Sequence, residues 1–241
     1  MLRINKYLSQ CGIASRRYAD ILVSKRHVTV NGELIDTPGY MIDEAADEVC
    51  VDGVRVRPTE IYIYIVLNKP AGYITSLSDP HHQQTVVLLL KDVPTRVYPV
   101  GRLDLDTEGT LLFTNDGELS FRLTHPKYAV KRVYSARVRG IVTGDKLALF
   151  PKGIKLPDGK TGRAVARIAN TGDDYTDLYL ELTEGRKREV KHLCKEIGHP
   201  VIRLYRNSFG GISSEGLEKG KWRFLTNLEV DDLYGLVGLV R

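Results

Sequence analysis

The sequence predicts an α+β protein in two parts. A small α/β unit leads, and a larger domain with a mixed, largely antiparallel sheet flanked by helices comes after it. Three observations point there. A helical period over residues 4–26 gives way to short β-like runs closed by Asn31-Gly32 and Asp52-Gly53. Beyond residue 60, β-prone runs outnumber helical patterns and turns join many of them directly, as in antiparallel rather than βαβ construction. Charge also divides the chain. Residues 1–26 carry Arg3, Lys6, Arg16, Arg17, Lys25 and Arg26 against the single acid Asp20, and residues 33–52 then turn acidic. Pro58-Thr59-Glu60 reads as a linker between domains at 1–58 and 61–241, and 241 residues suffice for a sizeable core.

In the front part, Ile4, Tyr7, Leu8 and Cys11, then Ala19, Leu22 and Val23, fall at helical intervals. Gly12 interrupts them and Ser15 can cap a second helix. Residues 28–30 alternate like a strand, and Asn-Gly and Asp-Gly are hairpin turn signals because both residues tolerate positive φ. In the larger part, 61–67 (IYIYIVL) is β-prone and is ended by Asn68-Lys69-Pro70-Ala71-Gly72. Further strands are expected at 111–114, 133–138 and 178–182, and helices at 118–123, 144–150 and 188–197. The tail 231–240 shows no assignable pattern.

Composition narrows the function classes. Hydrophobic residues at 42% and charged residues at 27% are ordinary for a globular protein. No apolar run reaches membrane-spanning length, and the first residues lack the apolar core of a secretory signal. Cys11, Cys50 and Cys194 are odd in number and without metal-ligand spacing, which fits reduced thiols in a cytoplasmic protein. A net charge of +5 and a pI near 9.0 favour a polyanionic partner.

The most informative stretch is 101–119, GRLDLDTEGTLLFTNDGEL. It holds Asp104 on a turn ahead of the apolar run Leu111, Leu112, Phe113, and a carboxylate so placed is a candidate nucleophile. Asp104, Asp106, Glu108 and Gly109 also fall at positions 1, 3, 5 and 6 of a calcium loop. Position 12, a Glu in such loops, is Asn115, and the run after Gly109 is β-like rather than helical. Two more segments stand out. Lys131-Arg132-Val133-Tyr134 opens a strand, and a tyrosine there serves equally as core or as a face for stacking a base. The segment 182–206 packs Arg186, Lys187, Arg188, Lys191, Lys195, Arg203 and Arg206 around Gly185. A helix from Arg188 puts Arg188, Lys191 and Lys195 on one face, and a solvated charged helix has the same composition.

Together these segments resemble the RNA pseudouridine synthases of the RsuA/RluB/RluE/RluF family. GIASRRYADILV followed by VTVNGELI resembles the S4 RNA-binding domain. The resemblance spans nearly the whole chain. It implies isomerisation of specific uridines in ribosomal RNA, with the base flipped out of the RNA, Asp104 attacking, Tyr134 stacking on the uracil and Lys191 beside the catalytic carboxylate. Arg102 would fill the gap left by the base or hold a phosphate. Arg3, Lys6, Arg16, Arg17, Arg186 and Arg188 would hold RNA. The reaction changes no oxidation state, so no cofactor and no metal are implied. The partner is ribosomal RNA or a ribosome assembly intermediate, with no membrane, and the expected state is a monomer. EGRKREVK leans toward the branch that modifies large-subunit RNA. Thr110 departs from the Leu common after the Asp-Thr-x-Gly motif, which bears on loop packing. The alternative reading is a non-catalytic S4-type assembly factor.

Overall fold

The computed structural model describes residues 1–58, 61–79, 81, 84–93 and 95–241. Of the expected linker, Thr59 and Glu60 lie outside the described residues. The chain divides into two compact units, one built mainly from Met1–Ile63, the other from Tyr64–Val93, Val97–Thr114 and Glu118–Arg241.

The front unit is built as its sequence dictates. Helices α1 (Ile4–Gln10) and α2 (Arg16–Ser24) bury Ile4, Tyr7 and Leu8, and Ala19 and Val23, respectively. The Ser15 hydroxyl accepts from the Tyr18 amide at 3.2 Å and caps α2. Asn5 and Asp20 tie the two helices together at 3.0 Å. Strands β1 (Val28–Val30), β2 (Glu33–Ile35), β3 (Val49–Val51) and β4 (Val54–Arg55) form a sheet in the order β2-β1-β3-β4. Its two tight turns have both central residues at positive φ: Asn31 at 52° with Gly32 at 83°, and Asp52 at 50° with Gly53 at 78°. That handedness matches the twist of the paired strands.

The larger unit has β5 (Tyr64–Lys69), β6 (Thr107–Thr114), α3 (Gly117–Thr124), β7 (Arg132–Arg139), β8 (Val165–Thr171), β9 (Tyr175–Leu182), α4 (Glu189–Glu196), β10 (Val201–Phe209), β11 (Trp222–Phe224) and α5 (Asn227–Leu236). The sheet runs β8-β9-β7-β10-β6-β5-β11. The β10–β6 pair is parallel and the other neighbours along this path are antiparallel. The expected α+β class with a mixed, largely antiparallel sheet is what forms. One core gathers β7, β9 and α4 around Val138, Leu180, Leu193 and Phe150. A second gathers β5, β6, α3 and α5 around Val66, Leu119, Phe209 and Leu233.

Several boundaries differ from the sequence reading. The strand expected at 61–67 starts at Tyr64 and runs to Lys69, because its partner is β6, with Tyr64 opposite Thr114 and Lys69 opposite Gly109. β6 itself begins at Thr107, so Glu108, Gly109 and Thr110 belong to a buried strand. Thr110 therefore bears on strand packing, not on a loop. Its hydroxyl donates to the Asn207 carbonyl at 2.8 Å. Gly109 is required there: at φ +101° a Cβ would overlap the Arg206 carbonyl oxygen. The helix expected at 144–150 is two short ones, Gly144–Leu147 and Leu149–Lys152, and Pro151 lies in the first turn of the second, where no amide is needed. The unassigned tail begins inside α5, which starts at Asn227. The N-terminus of this helix carries a Thr226–Glu229 capping box.

Candidate active site

The site is built from the turn that feeds β6. Asp104 precedes a tight turn closed by the Thr107 amide donating to the Asp104 carbonyl at 3.1 Å. Beneath it lies Lys69, at the end of β5 and fully buried. Its Nζ donates to the carbonyls of Pro70 at 3.0 Å, Asp104 at 3.1 Å, Leu105 at 3.4 Å and Thr107 at 2.8 Å. Burial pushes the Lys69 ammonium down to about 8, and the charges of Asp106, Asp104 and Glu108 pull against that shift. The Thr75 hydroxyl donates to the Leu103 carbonyl at 2.8 Å and accepts from the Leu103 amide at 3.2 Å. The backbone that presents Asp104 is thus held from below and from its N-terminal side.

Above the turn, Lys191 on α4 reaches two carboxylates. Its Nζ lies 3.3 Å from Asp104 Oδ2 and 2.5 Å from Asp106 Oδ1. The Lys191 side chain is 13% exposed, that of Asp104 34% and that of Asp106 68%. Burial pushes the Asp106 carboxyl up, but the hydrogen bond and charge of Lys191 outweigh it and hold the group below the usual range.

A cavity of about 340 Å³ opens beside Asp104, and Tyr134, Arg102, Arg186 and Arg188 also line it. Tyr134 sits near the start of β7, beside a bulge between Val133 and Tyr134 in the pairing with β10. The structure therefore brings Asp104, Tyr134 and Lys191 together, with three of the expected RNA-binding arginines on the same cavity. Arg186 is partly spent: its guanidinium pairs with Glu184 at 2.6 Å and donates to the Thr161 carbonyl at 3.0 Å. Arg188 is not on the face of a helix with Lys191 and Lys195. It is the N-cap of α4 at φ 55°, in left-handed backbone that lies outside the helical turns. Arg3, Lys6, Arg16 and Arg17 are exposed on the front unit.

The acids with calcium-loop spacing meet cations or backbone instead. Glu108 accepts from Arg203 at 2.8 Å and pairs with Lys219 at 2.5 Å. Asn115 accepts from the Ile63 amide and donates to the Ile61 carbonyl.

Residues 63–196 match the family model for RNA pseudouridylate synthase, and residues 2–49 match that of the S4 domain. A relative from Aquifex aeolicus, described as an uncharacterized RNA pseudouridine synthase, is 44% identical over 99% of this chain and 96% of its own. The chain belongs to the RNA pseudouridine synthase family. It is an enzyme of the isomerase class that acts on RNA, and the resemblance seen in the sequence is borne out. A Bacillus subtilis relative named ribosomal large subunit pseudouridine synthase B is 38% identical over 98% of this chain and 97% of its own. A solved structure described as a pseudouridylate synthase superposes with a TM-score of 0.70 at 28% identity, covering 97% of this chain and all of that one.

Sequence reasoning misses two residues that the structure places at this site. Asp106 reads there only as a calcium ligand, although its place two residues after Asp104 is a signal that both could share one cation. Lys69 looks like the polar end of a strand, and its four carbonyl acceptors include three that lie 35 to 38 residues away.

Proposed function

We propose that this chain isomerises one or a few uridines of ribosomal RNA to pseudouridine, with Asp104 as nucleophile. The observation that carries the reading is the Lys191–Asp104 ion pair at the mouth of a cavity that Tyr134 also lines. In the reaction the N1–C1′ bond breaks, the uracil turns, a C5–C1′ bond forms, and the C5 proton moves to N1. Atoms and electrons balance within the nucleoside. The uracil enters the cavity flipped from its stack, at a cost of a few kcal/mol that falls where the RNA is irregular. Asp104 attacks through its carboxylate, at C1′ or at C6, with the Lys191 ammonium 3.3 Å from its Oδ2. Tyr134 offers its ring to the uracil. Arg102 and Arg188, exposed on the cavity, suit phosphates or the gap left by the base.

The domains are read as 1–58, holding RNA through Arg3, Lys6, Arg16 and Arg17, and 61–241, carrying the chemistry. The name of the Bacillus subtilis relative supports a target in large-subunit RNA. Among the described residues no helix is long and apolar enough to cross a membrane, and a ribosomal RNA substrate fits a cytoplasmic protein. The alternative of a non-catalytic assembly factor gives no reason for Asp104, Tyr134 and Lys191 to converge. The deciding experiment incubates the protein with protein-free ribosomal RNA and with bulk transfer RNA, and maps pseudouridine by chemical labelling. Modification at discrete sites in large-subunit RNA is expected. Robust modification of transfer RNA with ribosomal RNA untouched overturns the target.

A further inference from the structure

One surface of the larger unit sets aromatic rings beside basic side chains and lies outside the cavity. Between Glu118 and Asp145 the sequence has six basic residues and no acidic one; in the fold Arg122, Lys131 and Arg137 pair with Glu118, Glu181 and Asp177, and Arg132 is buried, which leaves Lys127 and Arg139 exposed to offer charge. Within it, α3 buries Leu119 and Leu123 and turns Phe121 outward at 53% exposure. Three rings then succeed one another. Phe121 and His125 have centroids 5.1 Å apart at a 49° tilt, and His125 and Tyr128 are 6.2 Å apart at 77°. Two cations flank the last ring, with the Arg122 guanidinium 5.6 Å and the Lys127 ammonium 5.9 Å from its centroid.

The strip is held in place. Arg122 is anchored by Glu118 at 2.8 Å and by the carbonyls of Val237 and Gly238 at 3.2 Å. His125 Nδ1 accepts from the Lys127 amide at 3.2 Å, which fixes its ring plane. The strip also borders the site. Thr124, next to His125, lies 3.6 Å from where a Cβ of Gly101 would be, and Gly101 lines the cavity. The Leu123 carbonyl accepts from Arg132 at 3.3 Å, two residues before Tyr134.

We propose that Phe121, His125 and Tyr128 form a stacking platform for unpaired nucleotides flanking the target uridine, with Lys127 on their phosphates. The proposal rests on the RNA-modifying reading above and extends it to a second contact surface. Phe121 and His125 are exposed and Tyr128 is half-buried with Lys127 beside its ring, and this combination suits a ligand that offers flat rings and negative charge at once. Ring faces accept any base, so the platform adds affinity and lets the cavity select.

The test compares wild type with Phe121→Ala and Phe121→Trp. On the ribosomal RNA fragment that wild type modifies, Phe121→Ala should raise KM about ten-fold with kcat within about two-fold, and Phe121→Trp should restore KM. The thermal midpoint of each variant is measured alongside, so a folding defect is seen directly. In parallel, a single-stranded oligoribonucleotide containing 2-aminopurine is titrated with each protein. Wild type and Phe121→Trp should quench its fluorescence, and Phe121→Ala should quench it less. Unchanged KM and unchanged quenching in a folded Phe121→Ala overturn the platform. If wild type modifies no RNA, the functional reading fails, and the quenching arm still decides the platform by itself.

Discussion

Two carboxylate clusters lie four residues apart in the same segment and are built in opposite ways. At Asp104 and Asp106, two carboxylates share one cation, Lys191, and both remain open to solvent. At Glu108, one carboxylate with an 8% exposed side chain has two cations, Arg203 and Lys219. Burial pushes the Glu108 carboxyl up, yet the hydrogen bonds from Lys219 and Arg203 outweigh it and hold the group low. In the first cluster one ammonium bonds two carboxylates at the mouth of a cavity, and the Lys69 charge lies below the turn. The second staples β6 to β10 and to the segment at Lys219. The ratio of cations to carboxylates separates the acids at the cavity from the structural one.

The largest effect expected from breaking this contrast is at Asp104. Asp104→Asn keeps shape but removes the negative charge, and an amide is a poor nucleophile. Pseudouridine formation should fall by more than about 10³-fold while RNA affinity and thermal midpoint stay near wild type. A variant retaining a tenth of the native rate removes Asp104 from the role.

Glu108→Ala should do the reverse. It removes the buried partner of two cations that themselves stay more than half exposed, and should lower stability by about 1 kcal/mol in denaturant unfolding. The protein that remains folded should keep its kcat. The pH dependence comes from the depressed carboxyl. Its stabilising contribution is present above the unfolded value of 4.5 and is lost as pH falls through the lower folded value. Acid titration of stability should therefore be flatter in Glu108→Gln than in wild type.

Lys191→Ala should lower kcat by about 10²-fold with RNA affinity near wild type, because the Asp104 and Asp106 carboxylates lose the cation they share. Asp106→Asn sharpens the comparison with the smallest effect: Lys191 still meets Asp104, and kcat should stay within about three-fold of wild type. Equal kcat in wild type and Lys191→Ala would mean that the shared cation does not govern the site.

The elements legible in the sequence are those whose cause is local. Asn31-Gly32 and Asp52-Gly53 specify their turns because few other residue pairs accept two positive φ angles. Ser15 caps the helix that starts one residue later. The Thr226-x-x-Glu229 capping box is equally local and marks the start of the C-terminal helix, but the uneven apolar pattern after it hides the helix from a periodicity reading. Helical spacing of its neighbours predicts Arg188 inside a helix, and the αL backbone at the helix start takes it out.

The sequence by itself determined the α+β class, the front helix-and-hairpin unit, and the identity of Asp104, Tyr134 and Lys191 as the residues to watch. Only the tertiary structure decided what surrounds them. Gly109 is forced by a carbonyl of β10, a strand nearly a hundred residues later, and Glu108 became structural when Arg203 and Lys219 arrived from that distance. Lys69 supports the turn that carries Asp104 through carbonyl groups, which every residue carries and no sequence pattern marks. Side-chain chemistry is written residue by residue, whereas the field and the hydrogen bonds that a side chain meets depend on which strands lie side by side.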